Sequence, residues 1–137
     1  MQNDLVSDML VRIKNASLVK HSFAYAQFST LNVAILDILK KEGYIADFKV
    51  EKKNSSQQIK ILLKYSGWWV QKPAFSILNR LSKPGQRVYS GYKYFATRIT
   101  SLKYNKGIAI ISTSIGVMSH VKAIQLQKGG EILCYIE

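Results

Sequence analysis

Acidic residues are scarce in this sequence and unevenly placed. The 137-residue chain carries eight Asp and Glu against twenty Lys and Arg, and between Glu51 and Glu131 it has no acidic residue but fourteen basic ones. Cations spaced regularly through folded-looking sequence make an electropositive surface rather than a tail, and a phosphate backbone is the usual partner of such a surface. Cysteine is almost absent: Cys134 alone excludes an internal disulfide and a thiolate metal cluster, and its apolar surroundings in sequence give it a packing role. No apolar run reaches the roughly 18 residues of a membrane-spanning helix. The opening Met-Gln-Asn-Asp resembles neither a secretory signal nor an Arg-rich transit sequence, so the protein is expected to work where it is made.

Catalytic patterns are missing as well. There is no Gly-x-Ser-x-Gly elbow and no Gly-x-x-x-x-Gly-Lys phosphate loop, and the carboxylates are too dispersed to form an evident acid/base pair. Ser119-His120-Val121-Lys122 has the Ser-x-x-Lys spacing of some acyl-transfer enzymes but lacks their companion motifs. His21 and His120 stand far apart with no metal-ligand spacing. The sequence therefore points to a non-enzyme with no metal and no cofactor.

What is present reads as an α+β protein of two small domains, residues 1–67 and 68–137. Leu5, Val6, Met9, Leu10 and Ile13 fall on one helical face behind Asp4 as N-cap. A short strand from Phe23 to Phe28 follows. Ser29 or Thr30 caps a second helix whose apolar face is Val33, Ala34, Ile35, Ile38 and Leu39, and Gly43 terminates it. Tyr44 to Glu51 alternates with Tyr44, Ala46, Phe48 and Val50 on one side, then a polar turn leads to Ile59, Ile61, Leu63 and Tyr65, completing an α-β-α-β-β order. Residues 66 to 73 form the expected junction, where Trp68 and Trp69 could stack on bases but are read as packing between two lobes.

The second half is mainly antiparallel strand with a short helix over residues 119 to 127. Ser82-Lys83-Pro84-Gly85 is a strong turn signal. Tyr92 to Lys106 interleaves aromatics and cations, which suits an RNA-facing loop or a basic loop pinned by its aromatics. Gly107 to Met118 joins a buried strand, Ile108 to Ile111, to the hydroxyls of Ser112, Thr113 and Ser114 and then to Gly116, a surface suited to gripping a polar polymer. A last strand runs from Glu131 to Ile136 after the Lys128-Gly129-Gly130 turn.

Five blocks together carry a family resemblance: Asp4 to Asn15, Leu39 to Val50, Ser82 to Tyr89, Gly107 to Met118 and Gly129 to Ile136. Ser-Thr-Ser-x-Gly-Val-Met followed by Gly-Gly-Glu-Ile-x-Cys-Tyr resembles the family of small ribosomal subunit protein eight, and the likeness runs nearly end to end. The resemblance implies a structural constituent of the small subunit that binds small-subunit ribosomal RNA directly, helps its central domain fold, and touches neighbouring ribosomal proteins. It implies no small-molecule substrate and no membrane. Matching positions put RNA contacts at Ser112, Thr113, Ser114, Gly116, Ser82, Lys83, Pro84, Gly85, Arg87, Tyr89, Gly130 and Glu131, with a second RNA segment meeting Arg12, Lys14 and Asn15. The alternative from another class is a free-standing RNA-binding regulator or chaperone.

Short hydroxyl side chains can read the shape of structured RNA at close range, while lysines supply salt-sensitive affinity. A carboxylate such as Glu131 is tolerable beside phosphate only if it accepts from a base amino group or orients a basic neighbour. Ile115 stands where the family usually has lysine, leaving Lys106 or Lys128 to compensate. His120-Val121 and the Tyr92 to Lys106 loop also depart from the pattern. Sixteen Lys against four Arg, with much Ile, Tyr and Asn, suggests a mitochondrial ribosome, with a plastid or bacterial ribosome as the alternative.

Overall fold

In a computed structural model of the chain, residues 5–70, 72–83, 85–99, 102, 104 and 106–137 are described. Two compact units divide the chain, Met1–Ser76 and Ile77–Glu137. Asp4, the expected first cap, and Pro84 lie outside the described residues.

The first unit follows the apolar periodicity closely. Helix α1 (Leu5–Leu18) buries Val6, Met9, Leu10, Ile13 and Ala16, and α2 (Thr30–Lys41) buries Ile35, Leu36 and Leu39. The Ser29 hydroxyl accepts the Asn32 N–H at 3.0 Å, satisfying one of the orphan donors of the first turn of α2. Asn32 itself is buried, donating to the carbonyls of Gln27 at 3.0 Å and Leu5 at 3.4 Å. An apolar-face count passes over such a residue, which ties α2 to its neighbours through backbone carbonyls.

Strands β1 (Phe23–Gln27), β2 (Ile45–Lys53) and β3 (Ser56–Leu63) make an antiparallel sheet in the order β1-β3-β2. Helix α1 lies against β1 and α2 against β2. Asn54 and Ser55, both at positive φ, form the two-residue turn that matches strand twist in a hairpin. Tyr44, Ala46, Phe48 and Val50 were expected on one side of the strand, but the alternation does not run through unbroken. The β2–β3 register shifts between Ile45 and Asp47, and this bulge buries Ile45 while Ala46 faces out, because one extra residue reverses the alternation.

Where a junction was expected, a further small hairpin forms from β4 (Tyr65–Ser66) and β5 (Lys72–Pro73). Residue 67 therefore sits at the start of that hairpin's loop.

The second unit centres on β10 (Gly130–Ile136). It pairs along one edge with β8 (Ile108–Thr113), and along the other with β6 (Leu78–Arg80) and β7 (Tyr89–Ser90); β9 (Gly116–Ser119) pairs with β8. A 3-10 turn at Tyr92–Tyr94 leads into α3 (Phe95–Arg98), and α4 (His120–Gln125) follows β9. Phe95, Ile99, Leu102, Ala109, Ile111, Met118, Ala123, Ile132 and Tyr135 form the apolar core on one side of the sheet. Phe95, 1% exposed, pins the basic loop, whereas Tyr94 and Tyr104 remain exposed. The reading of a basic loop pinned by its aromatics thus holds at Phe95.

Candidate nucleic-acid interface

The three hydroxyl residues at the end of β8 and in the turn that follows have different fates. Thr113 Oγ1 donates to the Gly116 carbonyl at 2.8 Å and accepts the Ile115 N–H at 3.3 Å. Its side chain therefore braces the β8–β9 turn. Gly116, at φ +138°, takes a conformation that L side chains rarely adopt. Ser114 stands exposed at that turn and Ser112 is half-buried; neither makes a side-chain hydrogen bond among the described residues.

Strand register decides what lies beside them. Ser112 is directly opposite Glu131 on one side and Val117 on the other, and Glu131 is opposite Tyr89. Directly paired residues share a face of the sheet, so Tyr89, Glu131, Ser112 and Val117 form one row across β7, β10, β8 and β9. Tyr89 is 62% exposed. Gly130 lets the row close up: a Cβ there would run into the Ser112 carbonyl oxygen and lie 3.2 Å from Thr113 Cα.

Glu131 is not a bare charge. Its Oε2 accepts from the Ser82 hydroxyl and from Arg87 Nη1 at 3.0 Å, while Ser82 Oγ also accepts the Val88 N–H at 3.2 Å. Ser82 has no exposed surface, which corrects its expected direct contact with RNA: it positions Glu131, and Glu131 in turn holds Arg87. Of the two ways a carboxylate was expected to be tolerated here, orienting a basic neighbour is the one this geometry provides. Arg87 keeps nearly half its side chain exposed. Lys83 and Gln86 exchange both backbone hydrogen bonds, at 2.9 and 3.0 Å, leaving Lys83 and Gly85 exposed.

Ile115 is 60% exposed at the tip of the turn, so this surface has an apolar point where a cation was expected. Lys128 is two residues from Gly130, at the end of β10 that adjoins Ser112 and Thr113. Lys106 precedes the opposite end of β8, roughly 20 Å away at about 3.3 Å per residue. Of the two, Lys128 is thus the one near the Ser112 end of β8.

The remaining predicted contacts belong to the first unit. Arg12 Nε is paired with Asp8 at 3.0 Å and its Nη1 donates to the Tyr25 carbonyl at 3.5 Å. It borders a polar cleft of about 300 Å³ with Tyr25, Gln27, Gln57 and Gln58. Lys14 and Asn15 are exposed.

Several singled-out residues turn out to have structural roles. Ser119 caps α4 by accepting the Lys122 N–H at 3.4 Å, which accounts for the Ser-x-x-Lys spacing. His120 is buried and its Nδ1 accepts the Ala109 N–H at 3.1 Å; burial holds its pKa below the ordinary histidine value. Full burial pushes the Cys134 thiol up to about 12, which makes it unreactive. Trp68 and Trp69, read as packing residues, are 98% and 96% exposed. No cluster of His, Cys, Asp or Glu suited to a metal ion occurs among the described residues.

Comparison with known proteins places this geometry. The family described as Ribosomal protein S8 matches residues 4–136. The small ribosomal subunit protein uS8c of Phaeodactylum tricornutum is 48% identical over 136 residues, 99% of each chain. Its counterpart in Cyanidium caldarium is 42% identical over 136 residues, again 99% of each chain, and the small ribosomal subunit protein uS8 of Synechococcus elongatus is 41% identical over 134 residues, 98% of this chain and 97% of the relative. Chloroplast and cyanobacterial relatives give the mitochondrial expectation no support and make the organellar type plastid-like. The Lys, Ile, Tyr and Asn bias behind that expectation is a matter of composition and does not distinguish one organelle from another. A match that covers both units almost completely, with relatives aligned over nearly their whole length, establishes that the chain belongs to the ribosomal protein S8 family, a structural family of the small ribosomal subunit.

Proposed function

We propose that this protein binds small-subunit ribosomal RNA directly, helps fold and stabilise the central domain of that RNA, and does so in a plastid ribosome. The observation that carries the reading is the row Tyr89, Glu131 and Ser112, continued by the β8–β9 turn with Ser114 at its tip. It lies in a stretch of sequence whose only acid, Glu131, is tied to Arg87. Ser112 and Ser114 offer short donors and acceptors to a shallow RNA groove. Tyr89 supplies an exposed ring, and Arg87, Lys83 and Lys128 supply phosphate contacts. Arg12, Lys14 and Asn15 serve a second RNA segment.

Purified protein titrated with central-domain fragments of small-subunit RNA and with generic duplex, across a salt series, tests this. Affinity should fall with salt for both, with the central-domain fragment retaining its preference throughout. Equal binding of the two would overturn the reading. Ser114→Ala should reduce that preference more than Lys60→Ala, since Lys60 lies over the Phe23 ring, 4.4 Å from its centroid, in the sheet of the first unit. Co-sedimentation with small subunits through a high-salt wash separates a ribosomal constituent from a free-standing regulator, which would wash off.

A further inference from the structure

Trp68 and Trp69 are adjacent in the loop between β4 and β5, 98% and 96% exposed, and Val70 beside them is 58% exposed. Surface this apolar at the tip of a hairpin, left uncovered by the described residues, marks a site of interaction. Its stalk is anchored within the first unit. Tyr65 pairs with Pro73 and Ser66 with Lys72, the Ala74 N–H donates to the Lys64 carbonyl at 3.1 Å, and Tyr65 Oη donates to the His21 carbonyl at 2.6 Å. The indoles are thus carried on a held base, which reduces the ordering cost of using them in binding.

Charge identifies the partner. Exposed Lys64 and Lys72 flank the hairpin, and the sequence around it is free of acid from residue 52 to residue 130. Exposed aromatics between cations suit a chain that offers π faces and phosphates together, which is unpaired RNA. A stretch of chain so lacking in carboxylates offers little to the basic side chains of an ordinary protein surface.

We infer that the Trp68–Trp69 hairpin is a further RNA contact, apart from those above, that stacks on unpaired bases of the small-subunit RNA, with Lys64 and Lys72 meeting the adjoining phosphates. This rests on the proposed RNA-binding function and adds to it a single-strand contact carried by the first unit. The two indoles are the only tryptophans in the chain, so their emission reports on this hairpin alone. Full-length protein should be titrated with end-labelled central-domain RNA, following RNA anisotropy for binding and indole emission for stacking. Emission should be quenched in step with binding. Trp68→Ala and Trp69→Ala should each weaken binding about fivefold or more, with the slope of log affinity against log salt unchanged because no phosphate contact is lost. Phe at both positions should restore most of the affinity.

RNA binding with unaltered emission and full affinity in both alanine variants would overturn the inference and leave the broader reading standing. Absence of selective RNA binding by the wild-type protein would overturn both. An emission change produced only by neighbouring small-subunit proteins, without RNA, would assign the hairpin to a protein partner and overturn the inference.

Discussion

The two units hold their polar groups by different means. In the first, the ion pairs on the helices include two within a single helical turn, Arg12 with Asp8 and Lys41 with Asp37, and Ser29 caps its own helix. In the second, the pivotal cluster joins Ser82 and Arg87 to Glu131 across more than forty residues of chain. Local pairs on exposed helices contribute only a few tenths of a kcal/mol each, so they tolerate change. A nearly buried carboxylate with two donors is costly to disturb, because a group left unpaired bears its desolvation penalty. The second unit is thus the more sensitive to single substitutions, and its sensitive points coincide with the proposed RNA surface.

Gly130→Ala should break this contrast most severely. Its Cβ would collide with the Ser112 carbonyl, and separating β10 from β8 should cost about 3 kcal/mol, read as a lower denaturant midpoint. Gly85→Ala, where a Cβ meets nothing within 4 Å, should stay within about 0.5 kcal/mol. Equal effects would mean that the close approach of β10 and β8 does not matter.

Ser82→Ala comes next, with an expected loss of about 1 to 2 kcal/mol from the lost donor to Glu131. Selective RNA binding should weaken too, as Arg87 loses its fixed partner. Asp8→Ala, which removes the ion-pair partner of Arg12 in the first unit, should change stability by well under 1 kcal/mol, read from the denaturation midpoint. If Asp8→Ala proved the more damaging of the two, the comparison between the units would be reversed.

Acidification sharpens the same comparison. Burial lowers the folded-state pKa of His120 from 6.5, so the unfolded chain binds that proton more readily. The contribution of neutral His120 is complete above the ordinary value and is lost as pH falls below it, together with the bond from the Ala109 N–H. Urea midpoints at about pH 8 and about pH 5 should differ, and His120→Gln should remove most of that difference. An unchanged pH dependence in the variant would place the titrating group elsewhere.

The smallest effect concerns a single cation. Lys128→Ala should reduce the magnitude of the salt slope for RNA binding by about one, and Lys106→Ala should leave it unchanged. The opposite result would exclude Lys128 as the substitute for the lysine absent at Ile115.

Much of the fold was legible from periodicity. The spacing of Val6, Met9, Leu10 and Ile13, the cap at Ser29 and the turn before Ser56 depend on neighbours within a few residues, and local sequence encodes those relations directly. Three features were not legible. The bulge at Ala46 is set by pairing with β3, Asn32 is buried because backbone carbonyls of other elements await it, and the exposure of Trp68 and Trp69 follows from a hairpin whose strands are only two residues long. The proposed site divides similarly. The hydroxyl run and the turn glycine could be read as a candidate grip, but which hydroxyls stay free could not.

By itself the sequence determined the α+β class, the α-β-α-β-β order of the first elements, the basic character and the family, all of which follow from composition, short-range spacing and motif. Only the tertiary structure decided that Thr113 braces a turn while Ser114 remains available, that Ser82 is buried behind Glu131, and that Lys128 rather than Lys106 adjoins the site. Those outcomes depend on strand register and on contacts between residues far apart in the chain, where a shift of one position exchanges the buried face for the exposed one.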